Sequence, residues 1–264
     1  MVRSREVELV RGMLGSKPGA PANVAYYEEF AREYRLFFDD YAANMEQEGD
    51  WLDDVFHRHR VRTVLDASCG SGRQAIPLAE RGYQVTAADP SHRMLREARR
   101  QAEVSGLAIP FYALDFARLP PTVGAGFDAV IALGNGLCNQ ESRHEIVSAL
   151  RALHDCCCPN GLCLVGIKDF DAIRCGRPRL HRHRVQDFDG QQAVLVEAWD
   201  YADPVLICTT YSLHGEELRW PAHSAKTREY MLGAEELRSA AREAGFSDVS
   251  RLSHPSEAVY VLQG

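Results

Sequence analysis

The stretch Val64-Leu65-Asp66-Ala67-Ser68-Cys69-Gly70-Ser71-Gly72 constrains this chain more than any other. An apolar run ends in an acid, enters a glycine-rich turn and gives way to an amphipathic segment, Gln74 to Arg81. That order reads as strand, loop, helix. Gly70 and Gly72 carry no Cβ, so the backbone can turn tightly and a ligand can approach it closely. A second acid, Asp89, closes the next apolar run, Gln84 to Ala88. A carboxylate there can hold the two hydroxyls of a ribose. These features predict a nucleoside-containing cofactor across the carboxyl ends of parallel strands.

The string Gly70-Ser71-Gly72-Arg73-Gln74-Ala75 fits the loose dinucleotide pattern G-x-G-x-x-G/A, a weak signal by itself. Asp66 at the mouth of the loop is more telling. A carboxylate there would repel a pyrophosphate seated at a helix N-terminus, whereas it would attract a cationic amino group. S-adenosylmethionine carries an amine, a sulfonium and a ribose but no phosphate, so it is preferred to NAD. The bland reading is a tight turn with surface acids.

Strand and helix patterns alternate after residue 60. Strands are expected at about 62–67, 84–89, 108–113, 127–133 and 161–167, with helices at about 72–81, 91–104 and 140–155. This alternation requires a parallel sheet with helices on both faces. Before it, residues 1–22 hold a short helical pattern and a breaker-rich link, and residues 24–60 read as one or two helices rich in Tyr, Phe and acids. After Asp171 the pattern changes to β-branched and aromatic runs at 192–214 and 218–231. A helix at 233–244 ends at Gly245, a suitable C-cap, and two strands follow at about 247–252 and 257–263.

With these residues in view, the chain resembles the class I methyltransferases, and more narrowly the glycine/sarcosine N-methyltransferase group of small-molecule enzymes. The narrower resemblance rests on Tyr27 with Ala31 and Tyr34, on Glu48-Gly49-Asp50-Trp51, and on Asp89-Pro90-Ser91 with Met94-Leu95. It also rests on Phe127 to Asn135, which ends Leu133-Gly134-Asn135, and on Lys168-Asp169-Phe170-Asp171. It covers about residues 24–170 well and the remainder loosely. It implies a Rossmann-like α/β fold with a seven-stranded, mostly parallel sheet closed by an antiparallel hairpin. A helical lid would span residues 1–60, the cofactor domain 61–171 and 231–264, and an inserted antiparallel β cap 172–230.

The implied cofactor residues follow. The backbone of Ala67, Ser68 and Gly70 should face the methionine part, beside Asp66. Asp89, with Pro90, should hold the ribose, and Met94 could pack on the adenine. Asp115 could accept from the adenine amino group and Phe116 offer its amide, although Asp115 reads equally well as a strand-end cap. Leu133 and Gly134 should end the fourth strand beside the sulfonium. Two positions depart from the family. Ser68 replaces the first glycine of the loop, and Asn44 stands where relatives carry an arginine for the cofactor carboxylate. That carboxylate must then find Asn44 itself or Arg73.

The substrate side is thinner. Asn135 and Lys168 lie at carboxyl ends of strands, where α/β folds bind ligands. Relatives place an arginine at the Lys168 position to hold a carboxylate, and lysine keeps the charge without the fork. Arg174, Arg177, Arg179, His181, Arg182, His183 and Arg184 crowd one short stretch. With Lys168 they suggest an anion-binding rim, Arg174 and Arg177 foremost, against the plain reading of a solvated connection. Tyr27, Tyr34 and Asn135 are candidates to position an amine for in-line methyl transfer. No residue declares itself a general base, and His144, His181 and Tyr230 remain open. The expected reaction is N-methylation of a small amine or amino-acid-like metabolite, with O- or C-methylation next. An NAD-dependent oxidoreductase is disfavoured by Asp66.

Composition agrees. At 264 residues and 45% hydrophobic content the chain can fill an α/β core with an inserted cap. Its net charge of -7 argues against nucleic acid as a partner. No apolar run is long enough for a membrane span, and Met1 to Gly15 lacks a signal-peptide core. A cytoplasmic enzyme with a small-molecule partner is the simplest reading, and a homo-oligomer stays open. The eight cysteines include the run Cys156-Cys157-Cys158 but no C-x-x-C pair, so reduced thiols and no metal are expected.

Overall fold

A computed structural model describes residues 22–215 and 221–264, with no account of the side chains of residues 22 and 181–184. The helical pattern and link expected before residue 22 therefore lie outside the described residues. The described chain begins with α1 (Ala22–Phe30), a 3-10 turn (Tyr34–Phe37) and α2 (Tyr41–His59). The alternating part follows: β1 (Thr63–Asp66), α3 (Ala75–Glu80), β2 (Gln84–Ala88), α4 (His92–Val104), β3 (Phe111–Tyr112), α5 (Leu119–Val123), β4 (Phe127–Ala132), α6 (Arg143–Cys156) and β5 (Cys157–Ile167). Next come α7 (Phe170–Gly176) and four strands, β6 (Leu180–Phe188), β7 (Gln191–Ala202), β8 (Val205–Gly215) and β9 (Ala222–Tyr230). The chain closes with α8 (Ala234–Ala244), β10 (Asp248–Leu252) and β11 (Ala258–Gln263).

The first sheet has the order β10-β11-β5-β4-β1-β2-β3. Its pairs from β5 to β3 are parallel, and β11 runs antiparallel to both β5 and β10. Successive residues of each strand face opposite sides, and both sides are buried. Leu65, Val130, Ala132, Cys163 and Val165 pack with α6 and α8. Val64, Ala129, Ile131, Leu162 and Leu164 pack with α2, α3 and α4. Continuous apolar runs are therefore what these strands require. β1 and β2 change their order relative to β4 at this point, which opens the crevice used by ligands in such sheets.

The second sheet, β6-β7-β8-β9, is wholly antiparallel. One end of it, Trp199, Leu206, Cys208 and Tyr230, joins the α6/α8 core. The other end, Ala193, Leu195 and Ala225, packs beneath Tyr26, Phe30 and Leu36 of the N-terminal segment. Asn23 fastens the layers together. Its amide nitrogen donates to the carbonyls of Asn139 and Arg228, both at 2.7 Å, and its oxygen accepts from Thr227 Oγ1 and the Arg228 amide.

Several local expectations shift. The third strand shortens to two residues, because Pro110 has no N–H to extend the ladder. The fifth strand starts earlier, at Cys157, and is interrupted by Asn160 at φ 64°. The basic stretch read as a connection contributes an edge strand, β6, whose charged residue types suit an edge that must not recruit another strand. All eight cysteines are free thiols, five of them buried. No helix among the described residues is long and apolar enough to cross a membrane.

Candidate active site

The glycine loop leaves β1 held by hydrogen bonds to both neighbouring strands. The Ala67 amide donates to the Ile131 carbonyl at 2.8 Å, and the Cys69 amide to the Ala88 carbonyl at 3.0 Å. Gly70 adopts φ 52° and Gly72 φ 89°, the left-handed region that glycine enters without penalty. A Cβ on Gly72 would stand 2.7 Å from Ile76. Asp89 ties the loop to β2, because its carboxylate accepts from the Gly70 amide at 3.0 Å and the Ser91 amide at 2.9 Å. Ser91 in turn caps α4 by accepting from the Met94 amide. Since the Ala67 and Gly70 amides are engaged within the protein, their carbonyls are the groups left to meet a ligand.

Two carboxylates therefore flank the loop, Asp66 buried and Asp89 half-buried. Asp66 is 1% exposed and its Oδ2 has no hydrogen-bond partner. Burial pushes its carboxyl up to about 7; neighbouring Asp89 adds to the rise, and the Ser68 amide opposes it. Burial likewise raises Asp89 to about 6 against the pull of the Ser91 and Gly70 amides. A buried acid without a counter-charge is costly. A ligand that brings positive charge or hydroxyl donors would relieve both groups.

Beyond the loop lies a cavity of about 870 Å³. Tyr27, Tyr34, Asn44, Asn135 and Lys168 all line it, so five residues singled out in the sequence converge there. Tyr27 Oη accepts from Asn139 Nδ2 at 3.2 Å. Asn135 follows Gly134, and both have left-handed φ, 69° and 68°. This turn aims the Asn135 side chain at the cavity, where its Oδ1 accepts from the Lys168 amide at 3.1 Å and its Nδ2 has no partner. Ser68 packs against the same turn. A Cβ on Gly136 would meet the Ser68 side chain at 2.6 Å, so the small pair lets the two loops touch.

Arg73 answers the missing arginine at position 44. Its guanidinium is buried, donates to Asn44 Oδ1 at 3.1 Å and pairs with Glu48 at 3.0 Å. His254 Nε2 lies 3.1 Å from the same Glu48, and Glu257 accepts from the Gly134 amide at 3.1 Å. Burial pushes the Glu257 carboxyl up to about 7.

The remaining expected site residues lie as follows. Lys168 reaches the cavity, but its Nζ lies 2.7 and 2.8 Å from the two oxygens of Glu229, so its charge is already matched. Arg174 turns away to the Met231 carbonyl, and Arg177 pairs with Asp203 at 2.8 Å and lies over Tyr201. Both pair with groups outside the cavity, and neither lines it. The Asp115 carboxylate accepts from the Arg118 amide at 3.1 Å and caps the turn Phe116–Arg118. Phe116 and Leu133 are core residues, and Met94 is buried under the loop, its Cε 3.1 Å from where a Gly70 Cβ would stand. Pro90 remains exposed at the corner after Asp89.

Sequence reading misses Glu197, Glu229 and Glu257. For the first two a signal exists. Glu197 shares its parity with Ala193, Leu195 and Trp199 along β7, and Glu229 with Ala225 and Thr227 along β9. An acid in phase with an inward-facing apolar set is the mark of a site.

Residues 64–161 match the family described as a methyltransferase domain. Glycine N-methyltransferase of Oryctolagus cuniculus is 29% identical over 160 residues, 55% of this chain and 54% of that protein. Glycine/sarcosine N-methyltransferase of Parasynechococcus marenigrum is 29% identical over 151 residues, 56% and 54% of the two chains. The chain thus spans about half the length of the curated relatives it matches. Among solved structures, DesVI of Streptomyces venezuelae aligns with a TM-score of 0.76 at 16% identity, over 87% of this chain and 96% of that one. An S-adenosylmethionine-dependent methyltransferase from Clostridium acetobutylicum gives 0.69 at 14% identity, over 90% and 98%. Residues 64–161 thus match a methyltransferase domain, in a chain that is similar to the glycine and sarcosine N-methyltransferases over about half of its length.

Proposed function

We propose that the protein transfers a methyl group from S-adenosylmethionine to the nitrogen of a small amine. The observation that carries this reading is the pair of carboxylates on either side of the glycine loop, Asp66 buried and Asp89 half-buried, both with raised proton affinity. A pyrophosphate at the loop would meet repulsion from Asp66, whereas Asp89 suits the ribose of either cofactor. An ammonium, a sulfonium and a ribose diol would satisfy both, and the unpartnered Asp66 Oδ2 awaits such a donor. Asp89 suits the ribose, and Asp66 with the loop carbonyls suits the positive end. The Arg73–Asn44 pair suits a carboxylate. Relatives named as N-methyltransferases of glycine or sarcosine support nitrogen as the acceptor, while a ubiquinone biosynthesis O-methyltransferase, 47% identical over 70 residues, keeps oxygen as the second reading.

The cofactor supplies an electrophilic methyl, so the protein's task is alignment and exclusion of water. Gly134 and Asn135 shape the floor of the cavity, and Tyr26, Tyr27 and Tyr34 wall it from the N-terminal side. The Asn23 bonds hold that wall against the cap. Calorimetric titration with S-adenosylmethionine and with NAD tests the cofactor. Labelled-methyl transfer to a panel of amines and hydroxyl compounds tests the reaction. Tight NAD binding, or methylation of oxygen alone, would refute the reading.

A further inference from the structure

A simple amine is an ammonium near neutral pH, and an ammonium has no lone pair with which to take a methyl group. A nitrogen acceptor therefore needs a base within the cavity. The cavity opens on the carboxyl edge of the first sheet, where Gly134 and Asn135 follow β4 and Lys168 follows β5. β11 runs antiparallel to β5, with Ala258 opposite Ile167, so β11 begins at this same edge. Glu257 immediately precedes β11 and lines the cavity. Its carboxylate reaches over Gly166 of β5 and accepts from the Gly134 amide at 3.1 Å. The Asn135 amide donates to the Gly166 carbonyl at 3.0 Å. The loop after β4 and the Glu257 carboxylate are thus seated on one residue.

Behind Glu257 stands a second acid. Glu48 of α2 is 3% exposed. Its carboxylate, the Glu257 carboxylate and the His254 ring bring oxygen and nitrogen atoms within 4.8 Å of one another. His254 Nδ1 accepts from the amides of Ser256 and Glu257, both at 3.3 Å. The neutral ring therefore carries its proton on Nε2, which faces Glu48 at 3.1 Å. Arg73 pairs with the same Glu48 at 3.0 Å. Burial works against the ionised form of Glu48, but His254 and Arg73 outweigh it and hold the carboxyl below its ordinary value. Glu257 goes the other way. Burial pushes it up to about 7; Arg73 opposes the rise and Glu48 adds to it, with His254 and the Gly134 amide opposing as well. Two neighbouring carboxyls driven apart in this way divide the work. One stays a fixed charge, and the other exchanges a proton near neutral pH.

Two other titratable groups beside Asn135 keep their protons. Burial raises the Tyr27 hydroxyl. Burial opposes the Lys168 ammonium, but Glu229 outweighs it, and both oxygens of Glu229 are committed to that pair.

We propose that Glu257 is the general base of the methyl transfer, taking a proton from the acceptor's ammonium at the edge formed by Gly134 and Asn135. The assignment rests on the nitrogen-acceptor reading, since it is the ammonium that must lose a proton first. The N–H bond breaks, the proton joins a Glu257 oxygen, and the electron pair stays on nitrogen. That pair forms the bond to the methyl carbon while the carbon–sulfur bond breaks and leaves its electrons on sulfur. The products are a methylated ammonium and S-adenosylhomocysteine, and Glu257 returns its proton to solvent through the cavity.

Glu257→Gln keeps the shape and the bond from the Gly134 amide but cannot take the proton. The first measurement needs no acceptor. In the ligand-free full chain carrying carbon-13 glutamate, the carboxyl signal missing from Glu257→Gln is followed against pH. It is expected to titrate at about 7, and titration at the ordinary 4.5 would overturn the assignment. The second is labelled-methyl transfer to glycine, ethanolamine and glucosamine. In Glu257→Gln, kcat near neutral pH should fall about 100-fold or more. The acceptor KM and the affinity for S-adenosylhomocysteine should stay at wild-type values. The loss should shrink toward alkaline pH, where more of the amine arrives uncharged. Wild-type kcat and pH profile in the variant would overturn the assignment and leave the function reading standing. Methylation of hydroxyl compounds alone would overturn the function reading, and the assignment with it. With no transfer to any of the three amines, the carboxyl titration still decides whether Glu257 exchanges a proton at neutral pH.

Discussion

Asp66→Asn should make the ligand-free protein more stable and its cofactor binding weaker, and pH separates the causes. The carboxyl rises from its ordinary 3.8 to about 7 in the folded state, chiefly through burial. Each tenfold change in proton affinity is worth about 1.4 kcal/mol, so the ionised form costs the fold on the order of 4 kcal/mol above pH 7. Below about pH 4 the group is protonated whether the chain is folded or not, and the penalty vanishes. Because the folded pKa lies above the unfolded one, wild-type stability falls as pH rises from about 4 to 7. Asparagine does not titrate. It does place N–H donors where Oδ2 has no partner, which gives back about 1–3 kcal/mol at every pH. The variant is thus expected to gain about 1–3 kcal/mol over wild type at pH 8 and to lose about as much at pH 4. Urea denaturation of both proteins, ligand-free, at four pH values between 4 and 8 measures the difference. A difference that stays flat with pH would mean Asp66 is ionised at its ordinary value, and the case for a cation-seeking loop would collapse.

Asp89→Ala removes the acceptor of the Gly70 and Ser91 amides. It should weaken S-adenosylmethionine binding by about 1–3 kcal/mol in calorimetry, and unchanged affinity in a folded variant would exclude Asp89 from the site. A cationic cofactor favours the ionised forms of Asp66 and Asp89, whose carboxyls rise to about 7 and about 6. Its affinity should therefore increase from pH 5 to 8 with release of protons, read from calorimetry in buffers of different ionisation enthalpy; pH-independent binding would contradict this. Lys168→Met leaves Glu229 buried without a cation and should cost about 3–5 kcal/mol of stability. Adding Glu229→Gln should restore most of the loss, and denaturation curves that show no rescue would mean the pair is not the cause.

The parallel half of the fold is legible because its strands are buried on both faces, and acids mark the ends of β1 and β2. Val64 to Asp66 and Phe127 to Ala132 announce themselves without help from distant residues. Charge pairing is not legible in that way. Lys168 reads as a free cation because its partner, Glu229, is 61 residues away on a strand of the other sheet. Arg177 and Asp203 are separated by 26 residues and meet through the turn between β7 and β8. Asn44 and Arg73, 29 residues apart, show the opposite case: family comparison flags the gap at one and the loop sequence supplies the other. Glu257 gives no local sign, since a carboxylate after His254-Pro255-Ser256 looks like hairpin surface until Gly166 makes room for it. A Cβ on Gly166 would stand 2.6 Å from that carboxylate.

The division of the cavity between two sheets bears on how such an enzyme can diversify. Arg73, Gly134 and Asn135 of the lining follow β1 and β4 of the first sheet, and Glu197, Thr227 and Glu229 lie on β7 and β9 of the second. Substitutions at distant, unshared positions combine nearly additively. Positions 197, 210, 227 and 229 can therefore be exchanged among acid, hydroxyl and apolar residues with little disturbance of the loop from Asp66 to Gly72. The steps differ in size, since Glu229 pairs with Lys168 and the hydroxyls of Thr210 and Thr227 bond Tyr26 and Asn23. A lineage holding the donor half constant could walk through acceptors of different charge one residue at a time. A library restricted to those four codons is the corresponding laboratory route.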